Sequence, residues 1–339
     1  MSIWRRDIVS NLRALAGVEG KTAGEPPIVS MGTTNPPLIE KPQFILDHIV
    51  SDGAQVTRPS IDPYREPTET EVYLFDGEVR LLMPLIIGGL CGINPQHIPV
   101  VIQACFRMGV GVHLEQPPPP TLHPDVRSMI LLDAQLSMPF SIDRGPLVYH
   151  VESVEDLAKI KDILEGIGGR RKLVARIPCI SSQQLYSEIV GRGFQAVIID
   201  EELGGDEPLE VALSQADHTL KRLTINNHPA RYLMSLIAAS RRIRSSSDIF
   251  KLGGLGADAC VISDAWRIGV DYRSEMEPSL LSERIENLLI GMQREIKLLM
   301  GAAGVSSFQS SIVGSRELFR AIDLPQNMCM RLGVKPAGE

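Results

Sequence analysis

A short loop of small residues after an apolar run is the first place where this chain could do chemistry. Gly88 and Gly89 follow the run Pro84–Ile87, and Cys91 lies two residues further on. Glycines let a ligand approach the backbone closely, although they also serve simply to form a turn. A cysteine thiol becomes a nucleophile when a base or a helix N-terminus activates it, and no histidine adjoins Cys91 in the sequence. We expect an inert thiol at Cys91 and leave ligand contact at the glycines open.

Two histidines are candidates for acid–base chemistry. His97 stands just before a predicted helix, and His113 lies in the apolar run that follows this helix. Histidine titrates near neutral pH, so either side chain could accept and donate protons in a reaction. A lone histidine is more often a packed side chain with a local hydrogen-bond partner, and the sequence favours this simpler role for both.

A run of arginines is the most concentrated cationic feature of the chain. Arg241, Arg242 and Arg244 lie within the sequence SRRIRS at residues 240–245. Guanidinium groups form paired hydrogen bonds with phosphate or carboxylate, so the run could hold an anion. The same groups could instead pair with acidic side chains of the protein, for which the candidates are Asp200, Glu201 and Asp264. We favour the internal pairs.

The segment Pro84–Glu115 contains the complete unit that would position the glycine loop. An apolar run at its start stops at the glycines, and apolar residues then recur with helical spacing over Ile98–Met108. Gly109 ends this helix, and Val110–Leu114 begins a second apolar run almost at once. The pattern predicts a strand, a crossover helix and a parallel strand. In such units, ligands lie at the loop after the first strand.

Strand-like and helix-like segments continue to alternate up to Ser263. Intervals of roughly 25 to 35 residues between the predicted strands indicate repeated βαβ units and a parallel sheet. The number of units favours a closed (β/α)8 barrel, the TIM-barrel fold of the α/β class, over an open doubly wound sheet. The pattern GxGxxG of dinucleotide-binding folds follows none of the predicted strands, which argues further against the open sheet.

Proline content and helical spacing divide the 339 residues into three parts. Residues 1–66 are rich in Pro and Gly and cannot form a core of their own, so we expect an extended arm that packs on the barrel. The barrel is predicted over residues 67–300, and an Asp76-Gly77 turn predicts a hairpin before its first strand. Residues 301–339 are a short C-terminal tail.

The stretch from Gln116 to Ser153 is too short for a regular continuation of the barrel. It begins with a Pro-rich loop, which should be stiff and extended. The remaining residues have room for short strands but not for a full helix with its two loops. The barrel is therefore predicted to be irregular after its second strand.

Composition and charge exclude several classes of function. A net charge of −7 without a basic stripe argues against nucleic acid as a partner. The chain has neither a signal-type apolar segment nor the roughly 18 consecutive apolar residues of a membrane helix. Five widely spaced cysteines, an odd number, are typical of reduced thiols in a cytoplasmic protein. The same spacing argues against a disulfide framework, a metal site or an iron–sulfur cluster.

Longer stretches of the chain match the pattern of a known family. They are QVTRPSIDPYREPTETEVYL, PLIIGGLCGINPQHIPVVIQACFRMGVGVHLE, HVESVEDLAKI, residues 232–263, and LMGAAGVSSFQSSIVGSRELFRAIDL near the end. In this order they resemble the lead-in, the first βαβ unit, a later helix, the last two strands and the tail of the FMN-binding synthase domain of the glutamate synthase family, in its short stand-alone form. The resemblance implies a (β/α)8 barrel that binds FMN at its mouth.

The resemblance also implies site positions, which the chain keeps only in part. The positions of the family's FMN site are Gly88, Gly89, Cys91, Lys172, Ser240, Arg241, Arg242 and Ser263. Lys172 corresponds to a lysine of strand five that contacts the flavin ring, and we expect it to point into the barrel mouth. The family's small residues after strand two are replaced by Glu115 and a run of prolines. Its glycine-rich stretch and its substrate lysine are missing between Ser128 and His150.

The phosphate position departs furthest from the family. Family members have SGGIRTG or SGGIRS after strand seven, and this chain has SRRIRS at 240–245. A side chain at either glycine position would occupy the space of the phosphate. After strand eight, the family's GTAAL corresponds to SDAWR at 263–267, which puts Asp264 where the anion should sit. The cysteines that bind an iron–sulfur cluster in longer relatives have no counterparts after Gly269.

Two hypotheses about function remain. In the first, the chain is a non-catalytic relative without FMN that serves as a partner or binding subunit. It would form a homo- or hetero-oligomer, for example with an active glutamate-synthase-type subunit. In the second, it is an FMN-dependent oxidoreductase that acts on CH-NH2 donors and aminates 2-oxoglutarate with an altered site. We favour the first hypothesis, because several independent site motifs have changed while the scaffold positions persist.

Overall fold

The computed structural model describes residues 3–19, 44–116, 129–134, 145–158, 160 and 172–338. The strands are β1 (Ile49–Ser51), β2 (Val72–Leu74), β3 (Val79–Leu81), β4 (Leu85–Ile87), β5 (Gly111–Leu114), β6 (Ile130–Asp133), β7 (Leu147–His150), β8 (Leu173–Ile177), β9 (Ala196–Asp200), β10 (Thr224–Ile225), β11 (His228–Pro229), β12 (Ser235–Ser240), β13 (Ala259–Ile262), β14 (Phe319–Ala321) and β15 (Lys335–Pro336). The helices are α1 (Arg6–Leu15), α2 (Ile98–Arg107), α3 (Gln183–Gly191), α4 (Leu209–Arg222), α5 (Ala230–Leu233), α6 (Ser246–Leu255), α7 (Asp264–Gly269), α8 (Pro278–Ala303), α9 (Phe308–Ser311) and α10 (Gln326–Leu332). Residues 154–158 are also helical.

Eight of these strands form a closed barrel in the order β12-β13-β4-β5-β6-β7-β8-β9. Neighbouring strands run parallel, and the barrel closes where Val261 of β13 pairs with Ile86 of β4. Parallel neighbours require crossover connections, which the helices between the strands provide. The structure confirms the predicted (β/α)8 fold.

The barrel strands are apolar along most of their length because both of their faces are covered. Every residue of β9 and of β12 is buried. One face of each strand fills the barrel interior, and the other meets the surrounding helices. The strands therefore appear in the sequence as continuous apolar runs rather than as an alternation of apolar and polar residues.

The first βαβ unit consists of β4, α2 and β5, as predicted. Helix α2 buries one face of apolar side chains, which includes Val101, Ile102 and Cys105. Strands β4 and β5 pair in parallel through Ile86 and Gly111. Gly109 follows the helix at φ +62°, where a Cβ would lie 2.4 Å from Leu82 Cγ. Glycine is required at this position for both reasons.

Strands β2 and β3 form the predicted hairpin, which covers the amino ends of the barrel strands. Phe75, Asp76 and Gly77 of its turn all have positive φ angles. The backbone N–H of Phe75 donates to Ser235 Oγ at 2.8 Å, and Ser235 is the first residue of β12. The hairpin thus lies at the end of the barrel opposite to the mouth.

The described part of the N-terminal arm packs on the outside of the barrel and pairs with the C-terminal tail. Helix α1 contacts α7 and α8. Strand β1 pairs antiparallel with β14 through Ile49 and Ala321, and β14 pairs with β15. The division into residues 1–66, 67–300 and 301–339 stays a prediction.

One element differs from the sequence prediction, and another prediction falls outside the described residues. The last strand but one begins at Ser235, because Tyr232 belongs to the short helix α5. The predicted irregularity after the second strand concerns residues 117–128 and 135–144, which the structure does not describe.

The cysteines all carry free thiols. Cys91 is exposed, whereas Cys105, Cys179, Cys260 and Cys329 are buried. Burial raises the pKa of the Cys179 thiol to about 12. A thiol with so high a pKa is rarely ionised and is therefore chemically inert. Within the described part of the chain, no helix is long and apolar enough to cross a membrane.

Candidate functional site at the barrel mouth

A cavity of about 260 Å³ opens at the carboxyl ends of the barrel strands. Its lining comes from the last residues of the strands and from the loops after them. Charged side chains are prominent in this lining, and they are Glu115, Arg176, Asp200, Glu202, Arg241, Asp264 and Arg267. Ligand sites of (β/α)8 proteins lie at this end of the barrel, so the cavity is the candidate site.

A chain of charged hydrogen bonds crosses the mouth. His113 Nε2 lies 2.8 Å from Asp133 Oδ1. Arg176 Nη1 donates to Asp133 Oδ2 at 3.0 Å, and Arg176 Nε donates to Asp200 Oδ2 at 2.7 Å. These four side chains come from β5, β6, β8 and β9. The Arg176 guanidinium group therefore joins β6, β8 and β9, and Asp133 extends the network to His113 of β5.

Because this network is buried, its ion pairs are needed for the stability of the folded protein. Only 4% of the Asp200 side chain and 18% of the Arg176 side chain are exposed. A carboxylate buried to this degree is strongly destabilising unless a cation and hydrogen bonds compensate the lost hydration. Arg176 supplies this compensation, so the centre of the mouth is occupied by internal partners.

Gly88 and Gly89 are held against the loop that follows β13. The Gly88 carbonyl accepts a hydrogen bond from Trp266 Nε1 at 2.9 Å, and the Gly89 carbonyl accepts one from Arg267. A Cβ on Gly89 would lie 2.7 Å from Ser263 Cβ. This close approach explains the glycine by packing alone, whether or not a ligand binds.

Cys91 and Ser263, two further positions implied by the resemblance, also line the cavity. The Cys91 carbonyl accepts a hydrogen bond from Arg267 Nη2 at 2.8 Å. In the part of the chain that the structure describes, no side chain forms a hydrogen bond with the Cys91 thiol. The arrangement offers this thiol no general base.

Arg241 and Asp264 form an ion pair at the position expected for a phosphate. Arg241 Nε donates to Asp264 Oδ1 at 3.3 Å, which connects the loop after β12 to the first residue of α7. The Arg241 side chain is 56% exposed. Arg241 and Arg242 are not among the residues with positive φ, so the backbone here does not require glycine.

Ser240 and Arg242 pair with Glu201. Arg242 Nη1 lies 2.7 Å from Glu201 Oε1, and Ser240 Oγ donates to Glu201 Oε2. Arg244 turns away from the mouth, is buried, and pairs with Asp47 and Asp248. The favoured internal pairing of the three arginines is thus confirmed, although Arg244 uses acids other than those predicted.

Glu210 lies buried in the first turn of α4, near Glu201 and Arg242. Burial raises the pKa of its carboxyl to about 7, the charge of Glu201 adds to the increase, and Arg242 opposes it. The folded protein therefore binds this proton more strongly than the unfolded chain does. The resulting contribution to stability is present at acidic pH and is lost as the pH rises toward 7.

Lys172 does not reach the mouth, and the expectation that it points there is wrong. It immediately precedes β8, and its Nζ pairs with Glu78 of the hairpin at the opposite end of the barrel. Side chains alternate along a strand, so residues 172 and 176 share a face but lie at opposite ends of β8. Arg176 is therefore the cation of β8 that lines the mouth.

The two histidines have different surroundings. His97 is buried, and its Nδ1 lies 3.0 Å from the Tyr272 hydroxyl, so its role is packing. His113 joins the charged network at the mouth. Within the described ranges, no group of three or more His, Cys, Asp or Glu is arranged to hold a metal ion.

Sequence reasoning missed Asp133 and Arg176. Both are charged residues in otherwise apolar segments, LLDA and KLVARI. A charge within a buried strand requires a partner, so these two residues were the available signal for the network.

Solved structures share the barrel fold. An oxidised active mutant of (S)-mandelate dehydrogenase superposes with a TM-score of 0.56 at 14% identity, over 80% of this chain and 87% of that chain. Mandelate oxidase superposes with a TM-score of 0.56 at 12% identity, over 77% of this chain and 84% of that chain. At such low identity the likeness shows the fold alone.

Sequence comparisons show a similarity to the glutamate synthase family. The model of the glutamate synthase central domain matches residues 16–83. The archaeal glutamate synthase (NADPH) of Methanocaldococcus jannaschii is 24% identical, and the alignment covers 86% of this chain and 78% of that protein. That of Archaeoglobus fulgidus is 23% identical and covers 99% of this chain and 84% of that protein. The chain is therefore similar to glutamate synthases over most of its length, and it has a closed (β/α)8 barrel.

Proposed function

We propose that this chain is a non-catalytic member of its family, which serves as a partner or binding subunit and does not bind FMN at the barrel mouth. The observation that carries the proposal is the Arg241–Asp264 pair at the phosphate position. A phosphate cradle directs backbone N–H groups at the anion with nothing between them. At the corresponding positions this chain has an arginine side chain and a carboxylate, and a carboxylate so placed would repel a phosphate.

The centre of the barrel mouth, where a flavin ring would have to lie, supports the same proposal. Arg176 is held between Asp133 and Asp200 across the mouth, and displacing it would leave two carboxylates without a cation. The cavity of about 260 Å³ is also smaller than sites for drug-sized ligands, which run from roughly 300 to 1,000 Å³. A flavin would have to open the network before it could enter.

We expect the purified protein to be colourless and not to quench FMN fluorescence. The Kd for FMN should therefore be weaker than about 1 mM. The double variant Arg241→Gly, Arg242→Gly should gain at most weak binding, because Asp264 remains. Arg65→Gly serves as the control, because it removes one exposed arginine from the loop before β2.

The opposite result would favour the oxidoreductase. If the wild-type protein binds FMN at micromolar affinity or better and loses it when Arg241 and Arg242 are removed, guanidinium groups have replaced the backbone cradle. The proposal would then be wrong, and amination of 2-oxoglutarate would be the activity to measure.

A partner subunit implies an assembly, and we expect a homo- or hetero-oligomer that could include an active glutamate-synthase-type subunit. Val56 and Tyr64 of the arm are exposed apolar side chains, which other chains could cover. Light scattering at micromolar concentration should give a mass above that of one chain. A monomer, with no active subunit captured on co-expression, would contradict this expectation. The free thiols fit the proposed cytoplasmic location.

A further inference from the structure

Helix α1 of the N-terminal arm packs closely on the long helix α8. A Cβ on Gly291 of α8 would lie 2.6 Å from Leu15 Cδ2, so a larger residue would not fit there without a shift. One turn further along α8, Glu295 contacts Asn11, which lies one turn before Leu15 in α1. The two contacts have the same spacing, so the helices run antiparallel and Glu295 lies inside their interface.

Glu295 is a buried carboxyl group without a cation. Only 5% of the residue is exposed. Asn11 Nδ2 donates to its Oε1 at 2.8 Å, and Ser246 of α6 also forms a hydrogen bond with it. Among the residues that the structure describes, no Lys, Arg or His side chain forms an ion pair with Glu295. Burial of a carboxylate without a cation favours the neutral, protonated acid.

The Asn11 amide gives a second and independent indication of a proton. Its Oδ1 is buried and accepts no hydrogen bond from the described part of the chain, although Nδ2 of the same amide has a partner. A buried amide oxygen without a donor is destabilising. A protonated carboxyl group supplies this donor, because one of its oxygens accepts from the amide while its O–H donates back. Exchanging the amide oxygen and nitrogen would also require a proton, since two oxygens would then lie 2.8 Å apart.

We propose that a protonated Glu295 holds helix α1 on the barrel through a reciprocal hydrogen-bonded pair with the Asn11 amide, and that loss of this proton at higher pH releases the helix. The docked helix then binds the proton more strongly than the released helix does, because release lets water hydrate the carboxylate. Burial raises the pKa of Glu295 above its usual value, and the hydrogen bonds of Asn11 and Ser246 oppose this rise. A raised pKa gives stability that is present below pH 4.5 and is lost as the pH rises through the raised value.

The charged groups of the helices that pack on Glu295 do not replace this proton. They are Arg6, Asp7 and Arg13 on α1, and Asp248 and Lys251 on α6. Ion pairs hold Asp7, Arg13 and Asp248 to other residues, a backbone carbonyl accepts from Lys251, and Arg6 is exposed. The residues of α8 one turn away from Glu295 are uncharged, and they are Gly291, Met292, Leu298 and Leu299.

The proton itself can be tested by infrared spectroscopy of the purified full chain. At about pH 6 an ordinary glutamate is ionised, so the wild-type protein should show the carbonyl band of a protonated carboxyl group that Glu295→Gln lacks. Glu210 is present in both proteins, and its contribution cancels in the difference spectrum. Glu283→Gln is the matched control, because it removes an exposed carboxyl group of the same helix and should leave the band unchanged.

Release of the helix can be tested by amide hydrogen exchange, expressed as protection factors to remove the intrinsic dependence of exchange on pH. In the wild-type protein and in Glu283→Gln, the protection factors of α1 should fall by about tenfold or more from about pH 6 to about pH 9. In Glu295→Gln they should stay constant, because the glutamine amide is neutral at every pH and can both accept from Asn11 and donate to it.

The inference is wrong if the infrared difference spectrum shows no protonated carboxyl group. It is also wrong if α1 is unprotected at about pH 6, or if its protection in the wild-type protein does not change over this range. An equal fall in the wild-type protein and in Glu295→Gln would assign the pH dependence to another group, and would likewise contradict the inference.

Discussion

Replacing Asp217 with asparagine should lower the free energy of unfolding by about 3 to 5 kcal/mol, the usual loss when a buried ion pair is broken on one side. Only 1% of the Asp217 side chain is exposed, and three cations surround it. They are Arg231 at 2.9 Å, Lys221 at 2.8 Å and Arg316 at 2.9 Å. Arg316 belongs to the tail, so the variant should also loosen the tail from α4. Urea unfolding measures the loss.

The pH dependence of this loss follows from the pKa of Asp217. Burial raises this pKa, but the combined effect of Arg316, Arg231 and Lys221 is larger and lowers it below the usual 3.8. A lowered folded-state pKa gives stability that is present above about pH 3.8 and is lost as the pH falls further. The difference in the free energy of unfolding between wild type and Asp217→Asn should therefore become smaller in strong acid.

The matched control for Asp217 is Lys221→Ala. The Lys221 side chain is 44% exposed, and an ion pair with this exposure contributes less than about 1 kcal/mol. If Lys221→Ala and Asp217→Asn lowered the free energy of unfolding equally, the buried carboxylate would not be the group that stabilises the cluster.

The second large effect is expected for Arg176→Met, which should lower the free energy of unfolding by about 3 kcal/mol. Methionine keeps much of the length of the side chain but removes the cation between Asp133 and Asp200. Asp200 would then remain buried without an ion pair, and an unpaired buried carboxylate destabilises the folded protein. Urea unfolding in the absence of flavin gives the value.

Arg241→Met is the comparison for Arg176→Met within the same cavity. Arg241 is largely exposed and its contact with Asp264 is long, so its loss should change stability by no more than about 0.5 kcal/mol. If the two variants were equally stable, Arg176 would not be a structural residue. The proposed occupation of the mouth by internal partners would then lose its main support.

The barrel could be predicted from the sequence because its signals are local. An apolar run ended by glycines, a helical spacing and a second apolar run lie within Pro84–Glu115 and are sufficient to predict one βαβ unit. Repetition of such units then predicts a closed parallel sheet. The turn at Asp76-Gly77 is equally local, since its residues need positive φ angles that few sequences allow.

The arrangement of the mouth is decided by the tertiary structure. Asp133 and Arg176 are 43 residues apart in the sequence, and their contact depends on how the strands are placed around the barrel. The same holds for Lys172, because only the placement of β8 shows that residue 172 lies at the bottom and residue 176 at the mouth. Arg244 meets Asp47 across 197 residues.

The sequence by itself thus determined the fold class and the βαβ units, because each depends on residues that are close together in the chain. It also indicated that the arginines at 240–245 would pair internally. Only the tertiary structure decided the partners of Arg241, Arg242 and Arg244. The physical reason is that a charged side chain pairs with an opposite charge that lies near it in three dimensions, and barrel closure brings strands that are distant in the sequence together.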